Sequence, residues 1–315
     1  MALIERYINP FTDFGFKKLF GTELNKDLLI AFLNDVILPE SKKIQDLTYK
    51  SAEFMGQTES DRKAIFDLYC ISASGERFIV EMQKAKQNYF KDRSVYYASF
   101  PIQEQALKKD WNYKLNEVYT VGILDFVFDV RQKDKEVRHV VKLRDQNCQV
   151  FYDKLTFIYL EMPNFTKTEK ELETNYDKWL YALKNLPDLE DRPAKLKERI
   201  FKRLFEAAEI AKYNPEEKIK YEQSIKVYRD LKNSIDTAFD DGIIEGEKIG
   251  VEKGIEKGIG LGIEKGKIDG IVNTLKMNIL TIEQIALTFN VSIEFVQKIK
   301  AKTGYNLQII RSGNF

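Results

Sequence analysis

The sequence predicts an α/β protein that is followed by a helical C-terminal extension. Through about residue 165, short apolar stretches of strand length alternate with segments of helical spacing. From about residue 168 to 240 the pattern is helical throughout. Strands and helices that alternate in this way are typical of α/β and α+β folds, and we predict the α/β class.

Several stretches have the length and composition of β-strands. They are apolar, rich in β-branched and aromatic residues, and bounded by polar or turn-forming residues. They lie at 64–71, 77–83, 118–126, 137–143 and 155–162, and another strand is predicted to begin at 46–48.

The helices of this first part are predicted from apolar periodicity. Residues 13–36 place apolar side chains at helical spacing on both sides of Gly21, which indicates two short helices. A longer amphipathic helix is predicted at about 87–109. Pro101 lies inside it and should kink it, because proline lacks the amide that would donate to the carbonyl of Tyr97.

Composition divides the chain into four predicted parts. They are a core at 1–165, a helical extension at 166–240, a glycine-rich helical linker at 241–272, and a small helical hairpin with a tail at 273–315. Within the extension, Pro215 follows the predicted cap Asn214, at a first-turn position where proline is tolerated.

Glycine recurs at every fourth position from Gly242 to Gly270, separated mainly by Ile, Glu and Lys. A helix advances about 100° per residue, so the glycine row winds around it by about 40° at each step. Each glycine costs roughly 1 kcal/mol relative to alanine. A marginal helical linker is the preferred interpretation, and a glycine-faced self-association helix is the alternative. The intervening charges exclude a bilayer span.

Residues 281–302 predict a helix–turn–helix of minimal size. Thr281 and Gln284 form a capping box, Asn290 can end the first helix in the left-handed conformation, and Ser292 can cap the second. The second helix carries three lysines. Small helical hairpins often mediate protein contacts, so protein binding and DNA readout both remain open.

Composition disfavours several kinds of active site. The single histidine, His139, lies in a strand-like stretch, which disfavours catalysis that needs a well-placed imidazole. Two cysteines, Cys70 and Cys148, form neither a disulfide framework nor a zinc site. We therefore expect chemistry based on carboxylates, lysines and a hard metal ion. Lys and Arg total 50 against 49 acidic residues, so overall charge does not indicate DNA binding.

The remaining bulk properties indicate a cytoplasmic, globular protein. Hydrophobic residues make up 43% of the chain and aromatic residues 12%. No apolar run of about 18 residues is present, and the first residues do not have the apolar core of a signal peptide. We expect no association with a membrane.

A predicted hairpin brings two acids together. Gly75 can supply the left-handed residue that closes a three-residue loop at 73–75. Counting back from this loop places Asp67 directly opposite Glu81, and opposed side chains project from the same face about 5 Å apart. Gln83 shares that face, two residues further along.

Adjacent carboxylates repel each other, and one pKa rises unless a cation lies between them. A divalent metal ion removes this repulsion, and Mg²⁺ accepts a few protein oxygens together with waters and a substrate phosphate. A solvent-facing pair of strand acids is the alternative.

Four short motifs follow one another over about 110 residues, and each alone is weak. They are residues 13–20 (DFGFKKLF), Lys63 before Asp67, Glu81-Met82-Gln83 at the end of the next strand, and Arg93 with Tyr96 and Tyr97 on the following helix, before a strand at 119–126. In this order they resemble the PD-(D/E)xK nuclease superfamily, in particular its recombination-promoting nuclease and transposase family. The similarity runs from about residue 8 to 240.

The resemblance implies a restriction-endonuclease-like core, which is a mixed sheet flanked by helices. It also implies that Asp67 and Glu81 ligate Mg²⁺, or Mn²⁺ in its place, with the Met82 carbonyl as a third oxygen. Arg93 would contact a DNA phosphate or pair with an active-site acid.

The sequence departs from the family pattern at Gln83, where many members have the catalytic lysine. Lys63 is the preferred substitute, because strand alternation puts Lys84 on the opposite face. Asp13 is either a further acid of the metal site or a residue that favours the helix N-terminus. Glu53 is the alternative acid.

These inferences lead to a metal-dependent DNA endonuclease with catalytic residues Asp67, Glu81, Gln83, Lys63 and Asp13. Roles in recombination, transposition or defence are implied by the resemblance alone. The rival interpretation is a catalytically degenerate nuclease fold that acts as a DNA- or protein-binding assembly module. Double-strand cleavage needs two cuts, which is compatible with a homodimer.

Overall fold

The computed structural model describes residues 5–54, 64–106, 112–128 and 135–303. The chain divides into two compact units, Met1–Ile235 and Asp236–Phe315. Within the described ranges, no helix combines the length and the apolar composition that crossing a membrane requires.

The first unit is built on strands whose apolar residues alternate or run together as the sequence predicts. The strands are Leu47–Tyr49 (β1), Glu53–Phe54 (β2), Ala64–Ile65 (β3), Leu68–Ser72 (β4), Arg77–Gln83 (β5), Val118–Leu124 (β6), Arg138–Arg144 (β7) and Val150–Glu161 (β8). Six of them form one sheet in the order β1-β4-β5-β6-β8-β7, and β2 pairs with β3. The β5–β6 and β6–β8 pairs are parallel and the other pairs are antiparallel. The predicted mixed sheet is therefore confirmed.

The α-helices that surround this sheet or continue the chain begin and end at well-defined residues. They are Asp13–Phe20 (α1), Lys26–Phe32 (α2), Phe90–Gln105 (α3), Asn175–Asn185 (α4), Arg199–Ala208 (α5), Pro215–Met277 (α6), Ile282–Phe289 (α7) and Ile293–Thr303 (α8). Gly21 ends α1, as predicted. Asn214 accepts a hydrogen bond from the Glu217 amide at 2.9 Å, so Pro215 occupies the predicted first-turn position.

One face of the sheet carries the main hydrophobic core, which it shares with α1, α2, α4 and α5. Trp179 of α4 is fully buried there, with its ring 5.7 Å from Phe32 and 5.1 Å from Phe201. The opposite face is covered by α3, where Phe66 packs edge-on against Tyr97 at 5.0 Å. Because α4 and α5 share one core with the sheet, the predicted helical extension is part of the first compact unit.

The predicted strand at 64–71 is wrong in one respect, because it is interrupted at Phe66 and Asp67. Its first part, β3, pairs with β2, whereas β4 pairs with β1 and β5. The interruption begins with Phe66. Its amide donates to the Ala52 carbonyl at 2.9 Å, and its buried ring joins the aromatic cluster under α3. An apolar run in the sequence does not reveal that its two ends pair with different strands.

Two other predicted boundaries differ from the structure. Strand β8 begins at Val150 rather than at 155, because its first residues continue the pairing with β7 beyond the end of β6. Helix α3 begins at Phe90 rather than at 87, since Tyr89 has a left-handed backbone with φ of 63°.

The second unit contains the end of α6 together with α7 and α8. Its buried side chains include Ile271 and Leu275 of α6, Ile285 of α7 and Val296 of α8. The predicted capping features are confirmed: the Thr281–Gln284 capping box, Asn290 with φ of 50°, and Ser292 accepting from the Phe295 amide. The glycine-rich segment lies within α6.

The histidine and the two cysteines lie within the described residues. His139 lies in β7, and its buried Nε2 has no hydrogen-bond partner among the described residues and lies 3.6 Å from a carboxylate oxygen of Glu161. Cys70 is buried and Cys148 is exposed, and both are free thiols.

Candidate active site

The hairpin between β4 and β5 has the predicted turn. Gly75 has φ of 97°, a backbone conformation that glycine adopts readily, and its amide donates to the Ser72 carbonyl at 3.0 Å. The Ser72 amide donates to the Glu76 carbonyl at 2.9 Å. The pairing continues to Leu68 opposite Val80, so the next step of this register places Asp67 opposite Glu81.

A hydrogen bond ties Asp67 to the end of β5. The Met82 amide donates to Oδ2 of Asp67 at 2.7 Å. The Asp67 backbone amide also acts to lower the pKa of the neighbouring Glu81 carboxyl. Asp67 is thereby held beside Glu81, although it lies in the interruption between β3 and β4 rather than in a strand.

Burial of this pair disfavours its charged form. Burial raises the pKa of Asp67, and the Met82 amide opposes that rise. The pKa of Glu81 is raised to about 8, first by burial and then by the negative charge of Asp67, while Arg93 opposes the shift. Two half-buried carboxylates that repel each other in this way form a suitable oxygen donor set for a divalent cation.

The Met82 carbonyl lies on the same side of β5 as this pair. In an extended strand the N–H and C=O groups of one residue point toward the same neighbouring strand. Because the Met82 amide points to Asp67, its carbonyl faces that side too. Among the described residues, no group of three or more His, Cys, Asp or Glu side chains is arranged to hold a metal ion, so the candidate site has two carboxylates and this carbonyl.

Arg93 and Gln83 form a polar contact beside the carboxylates. The Arg93 guanidinium donates to Oε1 of Gln83 and to Oε1 of Gln87. It also lies 5.8 Å from the centre of the Tyr97 ring. Arg93 is therefore fixed on the α3 side of the sheet, where its charge favours the ionised form of Glu81.

Asp13 lies at the start of α1, where it does not provide the N-cap. Thr12 is the cap, and its hydroxyl accepts from the Gly15 amide at 3.0 Å. Asp13 forms an ion pair with Lys17 at 2.8 Å and its side chain is 58% exposed. Its charge raises the pKa of Asp67, which places it near the carboxylate pair.

Lys84 faces α1, as strand alternation predicts, together with Asp13 and Lys17. Its charge nevertheless lowers the pKa of Asp67, because Asp67 lies at the end of the sheet, where both faces are close. Sequence reasoning missed this proximity, since alternation assigns faces but says nothing about the sheet's end. Lys63, the predicted substitute for the catalytic lysine, lies outside the described residues, and Glu53 is exposed on β2.

A comparison with known protein families identifies the family to which this fold and this order of motifs belong. The family described as PD-(D/E)XK nuclease family transposase matches residues 10–238. The chain belongs to this family. No curated protein and no solved structure matches the chain.

Membership of the PD-(D/E)XK nuclease family confirms the predicted resemblance and agrees with the six-stranded mixed sheet flanked by helices. The matched range contains all of β1 to β8 and continues into α6. It relates the chain to nucleases and transposases in general.

Proposed function

We propose that this protein is a Mg²⁺-dependent endonuclease that hydrolyses phosphodiester bonds in DNA. The observation that carries the proposal is the pair formed by Asp67 and Glu81. These acids are half-buried and raised in pKa, the Met82 amide binds Asp67, and the β4–β5 register places Asp67 opposite Glu81. A nuclease family fold with such a pair fits metal-assisted hydrolysis.

Three groups would hold the ion: the Asp67 carboxylate, the Glu81 carboxylate and the Met82 carbonyl. They are all oxygen donors, which suits Mg²⁺ and also Mn²⁺. When bound, such an ion acts as a Lewis acid on the scissile phosphate and lowers the pKa of water.

The surrounding side chains have separate tasks in this proposal. Glu81 retains its proton near neutral pH in the metal-free protein and must release it to become a ligand. Gln83 cannot accept a proton as a lysine amine can, so it orients Arg93 through its amide oxygen. Arg93 is then placed to bind a DNA phosphate. Asp13 and Lys63 remain candidates for completing the site.

The decisive test is nicking of supercoiled plasmid by the purified full-length protein in Mg²⁺, in Mn²⁺ and in EDTA. Asp67→Asn and Glu81→Gln keep the size of each side chain and remove its charge. Glu206→Gln is the matched control, because Glu206 lies exposed on α5. We expect metal-dependent nicking by the wild type and the control, and none by the two site variants.

Two outcomes would contradict the proposal. Equal nicking by all four proteins would show that another nuclease is present in the preparation. No nicking by a folded wild type in either metal would favour the degenerate module, for which Gln83 in the position of the usual lysine is the supporting feature. Whether two copies associate for double-strand cleavage stays a prediction.

A further inference from the structure

A cavity of about 430 Å³ lies at Lys84, directly after β5, in the first compact unit. Its walls come from the start of α1, the residue after β5 and the first part of α6. The lining residues are Asp13, Phe14, Lys17, Lys84, Lys220, Gln223, Ser224 and Val227.

The lining carries an excess of positive charge, with three lysines and one acid. Asp13 pairs with Lys17 at 2.8 Å, and Lys220 pairs with Glu216 at 2.7 Å. Lys84 is half-buried and forms no ion pair or side-chain hydrogen bond with any of the described residues. The charges of Asp13 and Asp67 act on Lys84 without a direct contact, and the like charge of Lys17 opposes them. A half-buried cation that faces a cavity without a partner favours an anionic ligand.

The α6 wall is fixed to the core rather than loosely apposed. The Phe14 amide donates to the Ser224 hydroxyl at 3.1 Å. One turn earlier, the Tyr221 hydroxyl accepts from the Asn9 amide at 3.0 Å. These contacts join residues more than 200 positions apart, so the cavity is a feature of the folded unit.

The position of the cavity relates it to the proposed cleavage site. Lys84 follows Gln83 directly at the end of β5, and the charges of Lys17 and Lys84 act on Asp67. Successive phosphates of one DNA strand advance only ~3.4 Å along the helix axis. The nearness of Lys84 to Asp67 would let a strand bound at the carboxylate pair present a neighbouring phosphate to this cavity.

We propose that this cavity is a phosphate subsite that binds a backbone phosphate of the DNA strand next to the scissile one, with Lys84 as its main cation. The proposal rests on the proposed nuclease function. It assigns to Lys84 a role in substrate positioning, and to Lys17, Lys220 and Gln223 a place in the same subsite.

The test measures binding in the absence of cleavage. The full-length protein is titrated into a fluorescent DNA duplex of about 20 base pairs in EDTA, and anisotropy is followed at several salt concentrations. We expect Lys84→Met to weaken binding by about fivefold to tenfold and to reduce the slope of log K against log salt by about one. Lys84→Arg should restore most of the affinity.

Lys226→Met is the matched control. Lys226 is exposed on α6 and does not line the cavity, so this variant loses the same charge outside the proposed subsite. Its affinity should stay within about twofold of the wild type. Equal weakening by Lys84→Met and Lys226→Met would reduce the effect to overall charge and overturn the subsite.

A second variant protects the test against misfolding of Lys84→Met. Gln223 is exposed at the cavity, and Gln223→Glu adds a negative charge without changing the size of the side chain. It should weaken DNA binding to a similar degree. Unchanged affinity in a folded Gln223→Glu variant, together with unchanged affinity in Lys84→Met or failure of that variant to fold, would overturn the proposal.

Two further measurements distinguish an internal DNA phosphate from a phosphate at a strand end and from free inorganic phosphate. A duplex with 5′-hydroxyl ends should show the full effect of Lys84→Met, which would assign the subsite to an internal phosphate. An effect confined to 5′-phosphorylated duplex would overturn the internal assignment in favour of a strand end. Competition by inorganic phosphate alone, with no loss of DNA affinity in the variants, would also overturn it.

Failure of the subsite and failure of the nuclease are distinguishable. If no metal-dependent nicking occurs but Lys84→Met still weakens DNA binding selectively, the subsite stands and the catalytic proposal is wrong. If nicking depends on Asp67 and Glu81 but both cavity variants bind DNA normally, the subsite is wrong and the catalytic proposal stands.

Discussion

The carboxylate hairpin, Asp67–Gln83, and the glycine-rich segment of α6, 242–270, depart from ordinary burial in opposite directions. The hairpin buries charge, as Asp67 and Glu81 both have raised pKa values because of burial. The glycine-rich segment exposes apolar surface, with Ile255 and Ile259 each 58% exposed. Polar groups are usually exposed and isoleucine is usually buried.

The difference shows which interactions determine the conformation of each region. The hairpin is fixed by a turn and a sheet register, so it can hold two acidic side chains close together although burial disfavours their charged forms. The glycine-rich segment has no such support, because a side chain added at any glycine from Gly242 to Gly266 would meet nothing within 4 Å. Gly270 differs, since an added Cβ would lie 2.5 Å from the Phe289 ring.

The largest effect is expected on nicking activity when one carboxylate of the hairpin is removed. Asp67→Asn or Glu81→Gln should lower the Mg²⁺-dependent nicking rate by at least about a hundredfold, because either change removes an anionic oxygen donor. Initial rates on supercoiled plasmid measure this effect. A loss of less than tenfold in both variants would mean that the pair does not hold a catalytic ion.

The next effect concerns stability and its pH dependence. The folded-state pKa of Glu81 is about 8 against an ordinary value of 4.5, so the folded protein binds a proton that the unfolded chain has released between these pH values. The free energy of unfolding should therefore fall as pH rises through this window. Glu81→Gln removes this loss and should be more stable than the wild type at pH 8, by on the order of 4 kcal/mol.

Urea denaturation in EDTA at pH 5 and at pH 8 measures this difference. The two proteins should have closer stabilities at pH 5, where the wild-type side chain is mostly protonated in the folded state. Adding Mg²⁺ at pH 8 should stabilise the wild type more than Glu81→Gln. An advantage of the variant that is equal at both pH values would show that burial of the charge is not its cause.

A smaller effect is expected at the turn that sets the hairpin register. Gly75→Ala places a Cβ on a residue with φ of 97°, 3.0 Å from the side-chain nitrogen of Asn116. The strain should cost about 1–2 kcal/mol of unfolding free energy. Thermal unfolding at fixed pH measures it. A variant as stable as the wild type would show that the turn tolerates another backbone conformation.

The smallest effects compare two glycines of the same repeat. Gly254→Ala meets open space and should stabilise the helix by about 0.5–1 kcal/mol, because alanine has the higher helix propensity. Gly270→Ala gains the same propensity but displaces Phe289, so it should destabilise α7 by about 1 kcal/mol.

Hydrogen exchange of peptides from α6 and α7 measures these two effects separately. Slower exchange near 254 in the first variant and faster exchange in 282–289 in the second are the expected results. The same response at both positions would remove the distinction between open and packed glycines.

Much of the architecture could be predicted from sequence because it depends on local interactions. The loop closed by Gly75, the capping box at Thr281 and the left-handed Asn290 each involve residues only a few positions apart. The register that opposes Asp67 to Glu81 follows directly from the loop length. Apolar periodicity likewise indicated most strands and helices, since burial on one face repeats with the period of the element.

Tertiary structure alone decided the strand interruption at Phe66 and Asp67, the surroundings of Lys84 and the docking of α6 against α1. The break depends on the Phe66 ring joining the cluster under α3, and the Phe14–Ser224 contact joins positions 210 residues apart. The raised pKa of Glu81 has the same origin, because burial is set by packing from distant parts of the chain. Local patterns specify how a segment folds back on itself, whereas only packing determines which charges lose their water and which partners they meet.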